Sequence, residues 1–170
     1  EQTLGEWHFR QALFRDAAGH YRRAVAARQA ALGPRHLETA QSVVSLASAM
    51  KSMGRFSAAE ELYRGGLAIY EDRLGPNHPY IATLLNNLGQ LYYNQGRYDE
   101  AEDAFDRAVE IVTESEGADH IALAPTFNHL GYMYYRTGRY GDALANLEPA
   151  LAMWTRPATA RPRYAANARL

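Results

Sequence analysis

The fold is decided by one stretch of the sequence, residues 79–110, which reads PYIATLLNNLGQLYYNQGRYDEAEDAFDRAVE. Its first half places Leu85, Leu88 and Tyr92 at the i, i+3, i+7 spacing of one helix face. After a turn at Gly96-Arg97, a second apolar face follows at the same kind of spacing, formed by Ala101, Phe105, Ala108, Val109 and Val112. A lone helical hairpin of this length cannot bury both faces, so it needs similar neighbours stacked against it.

Those neighbours are present, because the residue types of this stretch recur every 42 positions along the chain. The recurring sets are Gly54-Arg55-Phe56, Gly96-Arg97-Tyr98 and Gly138-Arg139-Tyr140; Gly33, Gly75 and Gly117; His36, His78 and His120; and Leu46, Leu88 and Leu130. Leu4-Gly5 matches Leu88-Gly89 at twice the period, so we expect the chain to open in the middle of a first helix. Because it also begins with Glu rather than Met, we interpret it as a fragment or processed form with three and a half helix pairs.

The repeating residues resemble the tetratricopeptide repeat (TPR). Its pattern is met by Leu85, Leu88-Gly89, Tyr92, Ala101, Phe105 and Ala108. The common form repeats at about 34 residues. The longer period here, with the linker LGPNHP at 74–79 and the run LNNLG at 85–89, is similar to the kinesin-light-chain type. The resemblance implies an all-α fold, a right-handed superhelical α-solenoid of antiparallel helix pairs, with the first helix of each pair lining the concave side.

Glycine and proline residues give the expected boundaries of the helices. We predict one TPR-like solenoid over residues 1–155, with a second helix at 14–32 and helix pairs at 37–74, 79–115 and 121–155. Gly followed by Pro stops a helix, and Asp119 is the expected N-cap of the last pair. An interior proline removes a hydrogen bond, so we predict a late start or bend at Pro125 and a kink at Pro149. Residues 156–170 are predicted to be a linker, with a further or capping helix beginning at Tyr164.

Composition narrows the function classes. The net charge is −1, from 18 basic and 19 acidic residues, which argues against nucleic acid as the main partner because phosphate binding relies on a clustered basic excess. The sequence has no run of 18 apolar residues that would predict a membrane span. The absence of cysteine excludes disulfides and thiol chemistry. We take the cytoplasm as the expected compartment.

The resemblance also implies which side chains face a partner, namely those that flank the core leucine and tyrosine of each first helix. In the second and third pairs these residues are Gln41, Val44, Ser48, Lys51 and Ser52, then Thr83, Asn86, Gln90, Tyr93 and Asn94. In the fourth pair they are Asn128, Tyr132, Tyr135 and Arg136, and in the truncated first pair they are Gln2, Glu6, Phe9 and Arg10.

The chemistry of these side chains suits peptide recognition. A carboxamide donates and accepts at once, so Asn86 and Asn128 can pair with the backbone of an extended peptide. Tyrosines add amphipathic contact area, and Lys51 and Arg136 can hold a carboxylate. The alternative is that the asparagines only bond to neighbouring helices and that the tyrosines are solvated. Val44 occupies the equivalent position of the second pair, so only two of the pairs have an asparagine there.

No other site is predicted. His36, His78 and His120 stand one period apart in the linkers, too far apart for one zinc ion, so we expect them to cap helices or stabilise linkers. No catalytic motif and no cofactor motif is present. Acidic side chains on helix faces are explained by pairs such as Asp103 with Arg107. We therefore predict a non-catalytic scaffold that binds a peptide segment of a partner protein. The alternatives are a regulatory or sensor domain of a larger protein, and self-association through the helices that carry Trp7 and Trp154.

Overall fold

A computed structural model of the chain describes residues 1–156, and within these residues every regular element is helical. The predicted tail, including a helix that begins at Tyr164, lies outside the described residues. The elements are α1 (Gln2–Arg10), α2 (Phe14–Leu32), α3 (Leu37–Ser52), α4 (Phe56–Leu74), α5 (Pro79–Asn94), α6 (Tyr98–Glu116), a 3-10 turn (Ile121–Leu123), α7 (Ala124–Arg136) and α8 (Tyr140–Thr155).

The helices pack as consecutive pairs, and the chain divides into two compact units. The first unit, Glu1–Ala118, contains the pairs α1–α2, α3–α4 and α5–α6. The second unit begins at Asp119 and contains the pair α7–α8. The predicted boundaries agree with the observed ones, including the second helix at residues 14–32. The all-α fold built of helical pairs is therefore confirmed.

The turn within each pair requires a positive backbone φ at one position. Gly54, Gly96 and Gly138 occupy this position with φ of 72°, 74° and 79°, a region that residues with a Cβ rarely adopt. In the first pair the position falls on Ala12, with φ of 57°, which is the one non-glycine residue with positive φ in the described chain. Ala12 thus carries a local backbone cost that the other turns avoid.

Small residues on the first helices let the second helices approach closely. A Cβ built on Gly89 would lie 2.5 Å from the Phe105 ring, and one built on Gly5 would lie 2.5 Å from the Tyr21 ring. Phe105 is fully buried, as is Tyr63 at the same register in the second pair. In the second unit Gly131 has the same relationship with Leu147. These contacts form the core of each pair and explain why the small residues recur.

The three periodic histidines cap helices. The Nδ1 atoms of His36, His78 and His120 accept hydrogen bonds from the backbone N–H groups of Glu38, Tyr80 and Ala122, at 3.2, 3.1 and 3.1 Å. This resolves the choice left open by the sequence in favour of capping. It also corrects the N-cap predicted at Asp119, because the capping side chain belongs to His120. The Asp119 carboxylate lies instead 4.0 Å from Arg156.

The prolines have different consequences. The last pair opens with the 3-10 turn, and α7 begins only at Ala124 with Pro125 in its first turn. This is the late start predicted at Pro125, because proline suits a position whose N–H has no helical partner. The helix α8 continues through Pro149 to Thr155. The predicted kink at Pro149 stays a prediction.

Ion pairs between second helices join successive pairs of the first unit. Arg97 at the start of α6 donates to Glu60 of α4 at 2.6 Å, bonds to Glu100, and lies 4.4 Å above the ring of Tyr92. The predicted pair of Asp103 with Arg107 is wrong, because Arg107 bonds to Glu71 of α4 at 2.7 Å. Both guanidinium groups thus reach a carboxylate of the preceding pair, and Arg97 also bonds to one of its own turn.

Candidate functional site

In the first unit, the first helices of successive pairs contact one another through polar side chains. The Gln2 amide of α1 donates to Ser45 Oγ at 3.0 Å and accepts from Ser42 Oγ at 3.0 Å, which joins α1 to α3. The Lys51 ammonium donates to Gln90 Oε1 at 2.7 Å, which joins α3 to α5. We call the surface formed by α1, α3 and α5 the first-helix row. It is the part of the first unit that carries the predicted site residues.

Lys51 is the most unusual residue of the first-helix row. It is the only lysine of the sequence, it is half-buried, and within the described residues its ammonium has the neutral Gln90 amide as partner and no carboxylate within 4.0 Å. Burial lowers the pKa of Lys51 from 10.5 to about 8, because desolvation disfavours the charged form. The row therefore holds a poorly solvated cation that an incoming carboxylate could pair with.

The helix α5 carries the further predicted residues Asn86, Gln90, Tyr93 and Asn94. Gln90 contacts Lys51 directly, Asn86 and Tyr93 are half-buried, and Asn94 at the end of the helix is exposed. The ring of Tyr93 lies 5.9 Å from that of Tyr98 at the start of α6. The structure thus brings a cation, carboxamides and an aromatic ring onto two adjacent helices.

The second unit carries a separate aromatic surface on α7. Tyr132 and Tyr135 are 52% and 57% exposed, and their ring centroids lie 6.5 Å apart. Tyr140, the first residue of α8, extends the group with its ring 5.8 Å from that of Tyr135. Arg136 is exposed next to them, whereas Asn128 is half-buried one turn before Tyr132. Sequence reasoning placed Tyr140 in the turn series and missed its place in this group.

The residues at the register of Asn86 contact neighbouring helices in the first two pairs. Gln2 occupies the register of Asn86 in the first pair, and it bonds to Ser42 and Ser45 of the next first helix. Val44, predicted to face a partner, is 8% exposed and packs toward Gly66 of α4, so that prediction is wrong. Gln2 and Val44 thus contact neighbouring helices. The pairing of Asn86 and Asn128 with a peptide backbone stays a prediction.

Two polar residues of the first-helix row escaped the sequence analysis. Ser42 accepts a hydrogen bond from Arg28 of α2 at 2.9 Å while its own hydroxyl bonds to Gln2, so it connects three helices. Ser45 accepts from Gln2. The signal that could have found them is their spacing, because positions 42 and 45 lie three apart on one helix face.

Metal-ligating clusters and membrane-spanning helices are absent from residues 1–156. This part of the chain has no cluster of three or more His, Cys, Asp or Glu side chains that could hold a metal ion. None of its helices has the length and apolar character needed to cross a membrane.

A family model described as tetratricopeptide repeat matches the chain over residues 2–72, 47–105 and 80–156. The chain belongs to the tetratricopeptide repeat family. TPR repeats generally mediate protein–protein interactions, and proteins built from them are typically non-catalytic scaffolds. None of the curated proteins compared with the chain matches its sequence.

Several solved structures have a similar fold. BtubC (BKLC) from P. vanneervenii aligns with a TM-score of 0.81 and 25% identity, over 99% of this chain and 68% of that chain. The nearly identical TPR-like repeats of a kinesin-light-chain-type protein from Podosopora anserina align with a TM-score of 0.77 and 21% identity, over 92% of this chain and 75% of that chain. MamA aligns with a TM-score of 0.64 and 20% identity, over 90% and 75% of the two chains. The predicted relationship to kinesin-light-chain-like TPR proteins is confirmed.

Proposed function

We propose that this TPR protein is a non-catalytic scaffold whose first-helix row binds a peptide segment of a partner protein. The segment carries a carboxylate, from an acidic side chain or a chain end, and this carboxylate pairs with Lys51. Gln90, Asn86 and Asn94 bond to the peptide backbone, and Tyr93 packs against an apolar side chain. The placement of Lys51 is the observation that carries the proposal.

A half-buried ammonium without an anionic partner is unfavourable for the folded chain. Its desolvation is only partly compensated by one neutral acceptor, and an uncharged side chain such as methionine at this position would avoid the loss. Such uncompensated groups are expected where a binding surface trades stability for function. A carboxylate that enters the row gains a charge-assisted hydrogen bond to a donor that is already held in place by Gln90, so less ordering is needed on binding.

The aromatic surface of α7 provides a second contact area on the second unit. Exposed tyrosines supply large amphipathic contacts at a low entropic cost. Tyr132, Tyr135 and Tyr140 form such a group, and Arg136 adds a cation beside it. We propose that this surface binds apolar and acidic side chains of a partner.

The proposal is tested with a displayed library of random peptides selected on the folded protein. Selected peptides are synthesised, and their affinities are measured by fluorescence anisotropy for the wild type, Lys51→Met and Arg22→Met. Arg22 is an exposed cation of α2, so its variant controls for the loss of one positive charge away from the first-helix row. We expect enrichment of acidic residues or free carboxylate ends, and about tenfold weaker binding for Lys51→Met only.

Two outcomes would contradict the proposal. One is the failure of any peptide to be selected above background. The other is selected peptides that bind Lys51→Met, Asn94→Ala and the Asn86→Ala, Asn128→Ala double variant as tightly as they bind the wild type. The folding of each variant is checked by circular dichroism, so that a loss of binding reports the surface rather than the stability.

Self-association is a second candidate function, and exposed tryptophans favour it. Trp7 on α1 is 56% exposed and Trp154 on α8 is 47% exposed, although tryptophan is highly buried on average. We expect a dimer or larger species to lose mass in light scattering when Trp154 is changed to Gln. A monomer at all concentrations would exclude this candidate. A cytoplasmic location and the absence of catalysis stay predictions.

A further inference from the structure

The single lysine of the chain lies on the surface proposed to bind partners, which gives it a chemistry that none of the other basic residues shares. The remaining basic residues are arginines, and a guanidinium stays protonated and is a poor nucleophile at neutral pH. Lys51 Nζ is therefore the one side-chain amine available to acyl donors. Its position on α3, in contact with α5, is fixed by the bond to Gln90.

We propose that Lys51 Nζ is an acylation site, at which a small acyl donor of the thioester or acyl-phosphate class converts the ammonium of the first-helix row into a neutral amide. The neutral amine attacks the carbonyl carbon of the donor and forms the new C–N bond. The C–S or C–O bond to the leaving group breaks, the thiolate or phosphate departs with the electron pair, and the extra proton on nitrogen passes to solvent.

The surroundings of Lys51 favour the neutral amine that this step needs. No carboxylate of the described residues lies within 4.0 Å of Nζ to hold the proton, and the side chain is half-buried. Desolvation lowers the pKa of Lys51 to about 8, so at pH 7 roughly a tenth of the amine is unprotonated, far more than for an ordinary lysine. Lysines are activated as nucleophiles in this way when they are removed from water.

The folded structure also accommodates the product. Acylated Nζ keeps one N–H, which can still donate to Gln90 Oε1, so the contact between α3 and α5 survives. The charge that burial disfavours is removed. Acylation therefore leaves the fold intact while it changes the first-helix row from cationic to neutral.

A consequence for binding follows, and this part rests on the proposed function. A carboxylate that pairs with the Lys51 ammonium loses its counter-charge when the amine becomes an amide. Acylation would thus release acidic peptides from the row, and removal of the acyl group would restore binding. The modification itself does not depend on any partner.

The test compares the reactivity of this amine in the folded wild type with that of an exposed amine one residue along. The full chain is treated with acetyl phosphate across a range of pH, O-acetyl groups are removed with hydroxylamine, and acetylation is located by peptide mapping. The matched control is the double variant Lys51→Arg, Ser52→Lys, which moves the only lysine to an exposed position of α3. Wild type in concentrated urea is the second control, because the same amine is then solvated.

At about pH 7.5 we expect acetylation at position 51 of the folded chain to be about tenfold faster than at position 52 of the control. The lowered pKa gives far more neutral amine than an ordinary lysine pKa of about 10.4, and this gain outweighs the lower nucleophilicity of a less basic amine. The rate should have its midpoint near pH 8 in the folded chain and shift upward in urea. The proposal is overturned if position 51 of the folded chain is acetylated no faster than the amine in each of the two controls. It is also overturned if the acetylation rate has its pH midpoint at the ordinary lysine pKa.

Binding is then measured separately on the acetylated protein with an acidic peptide that the wild type binds. A loss of about tenfold or more in affinity supports the switch. Rapid acetylation with unchanged affinity would contradict the role of Lys51 in partner binding and leave the acylation site standing. Slow acetylation, together with a strong effect of Lys51→Met on affinity, would contradict the acylation site and leave the role of Lys51 in partner binding standing.

Discussion

The ring of Phe105 packs directly on Gly89, with 2.5 Å between its Cε1 atom and the place where a Cβ of residue 89 would lie. Because Phe105 is fully buried, the ring has little room to move. We expect Gly89→Ala to lower the free energy of unfolding by about 1–3 kcal/mol through overpacking, measured by urea denaturation followed by circular dichroism.

The control for this substitution is Gly65→Ala. Gly65 lies within α4 with open space around an added Cβ, so alanine should raise the free energy of unfolding by about 0.5–1 kcal/mol through helix propensity. Equal effects of the two substitutions would show that the contact between Gly89 and Phe105 is not tight.

Ala12 holds the turn position that glycine occupies in the other pairs, with φ of 57°. A side chain in this region is disfavoured by about 1–2 kcal/mol, part of which glycine loses again through its flexibility in the unfolded chain. We therefore expect Ala12→Gly to raise the free energy of unfolding modestly, by about 0.5–1 kcal/mol. The reciprocal change Gly54→Ala should lower it, and a loss of stability in Ala12→Gly would contradict the assigned backbone cost.

The capping bond of His78 is expected to stabilise α5. Removal of the acceptor in His78→Ala should lower the free energy of unfolding by about 1 kcal/mol, as for other N-cap residues, whereas His78→Asn should preserve it. Asn77→Ala, at the exposed neighbouring position, serves as the control. Thermal unfolding followed by circular dichroism measures all three, and an alanine variant as stable as the asparagine variant would argue against the cap.

Stability should depend on pH through Lys51. Its pKa is lowered on folding from 10.5 to about 8, so the unfolded chain binds more protons than the folded one between these two values. The folded state bears the full cost below pH 8, and this cost fades as the pH rises toward 10.5. We expect Lys51→Met to be the more stable protein at neutral pH by at most about 2 kcal/mol, after screening by solvent is allowed for.

The difference in the free energy of unfolding between wild type and Lys51→Met isolates the contribution of Lys51, because the tyrosines titrate alike in both proteins. Urea denaturation of both proteins at several pH values across the window measures it. We expect the advantage of Lys51→Met to shrink steadily with rising pH. An advantage that stays constant, or that grows, would contradict the lowered pKa.

The fold was predictable because its determinants are local and repeated. The apolar spacing around Leu88 and Phe105, and the glycines at Gly54, Gly96 and Gly138, specify helices and turns without reference to distant residues. Each signal recurs one period away, so a misinterpretation at one position is corrected by its equivalents. The same regularity predicted the helix pairs to within one or two residues.

Side-chain partners were harder to predict, because they depend on the spacing between helices. Arg107 was assigned to Asp103 on its own helix, yet its guanidinium reaches Glu71 of the preceding pair. Val44 was assigned to a ligand-facing surface, but it packs toward Gly66 on the paired helix. Periodicity identifies a helix face, whereas the length of a side chain and the distance to the next helix decide what it contacts.

The peptide-facing residues were predicted from a resemblance, and the structure adds chemistry that the resemblance does not contain. Lys51 was expected to hold a carboxylate, but its half-burial and its bond to Gln90 could not be read from spacing. The burial of one lysine depends on how closely α3 and α5 pack, which a single sequence does not report.

The presence of one lysine in the sequence has a practical consequence for any laboratory that handles this protein. Dyes, cross-linkers and chromatography resins that react with side-chain amines will attach at Lys51, on the surface proposed to receive peptides. A partner search that uses amine-coupled protein would then present this surface already occupied, and a negative result would be misleading. Attachment through a terminal affinity tag avoids the artefact, and a partner recovered only by that route would itself indicate where it binds.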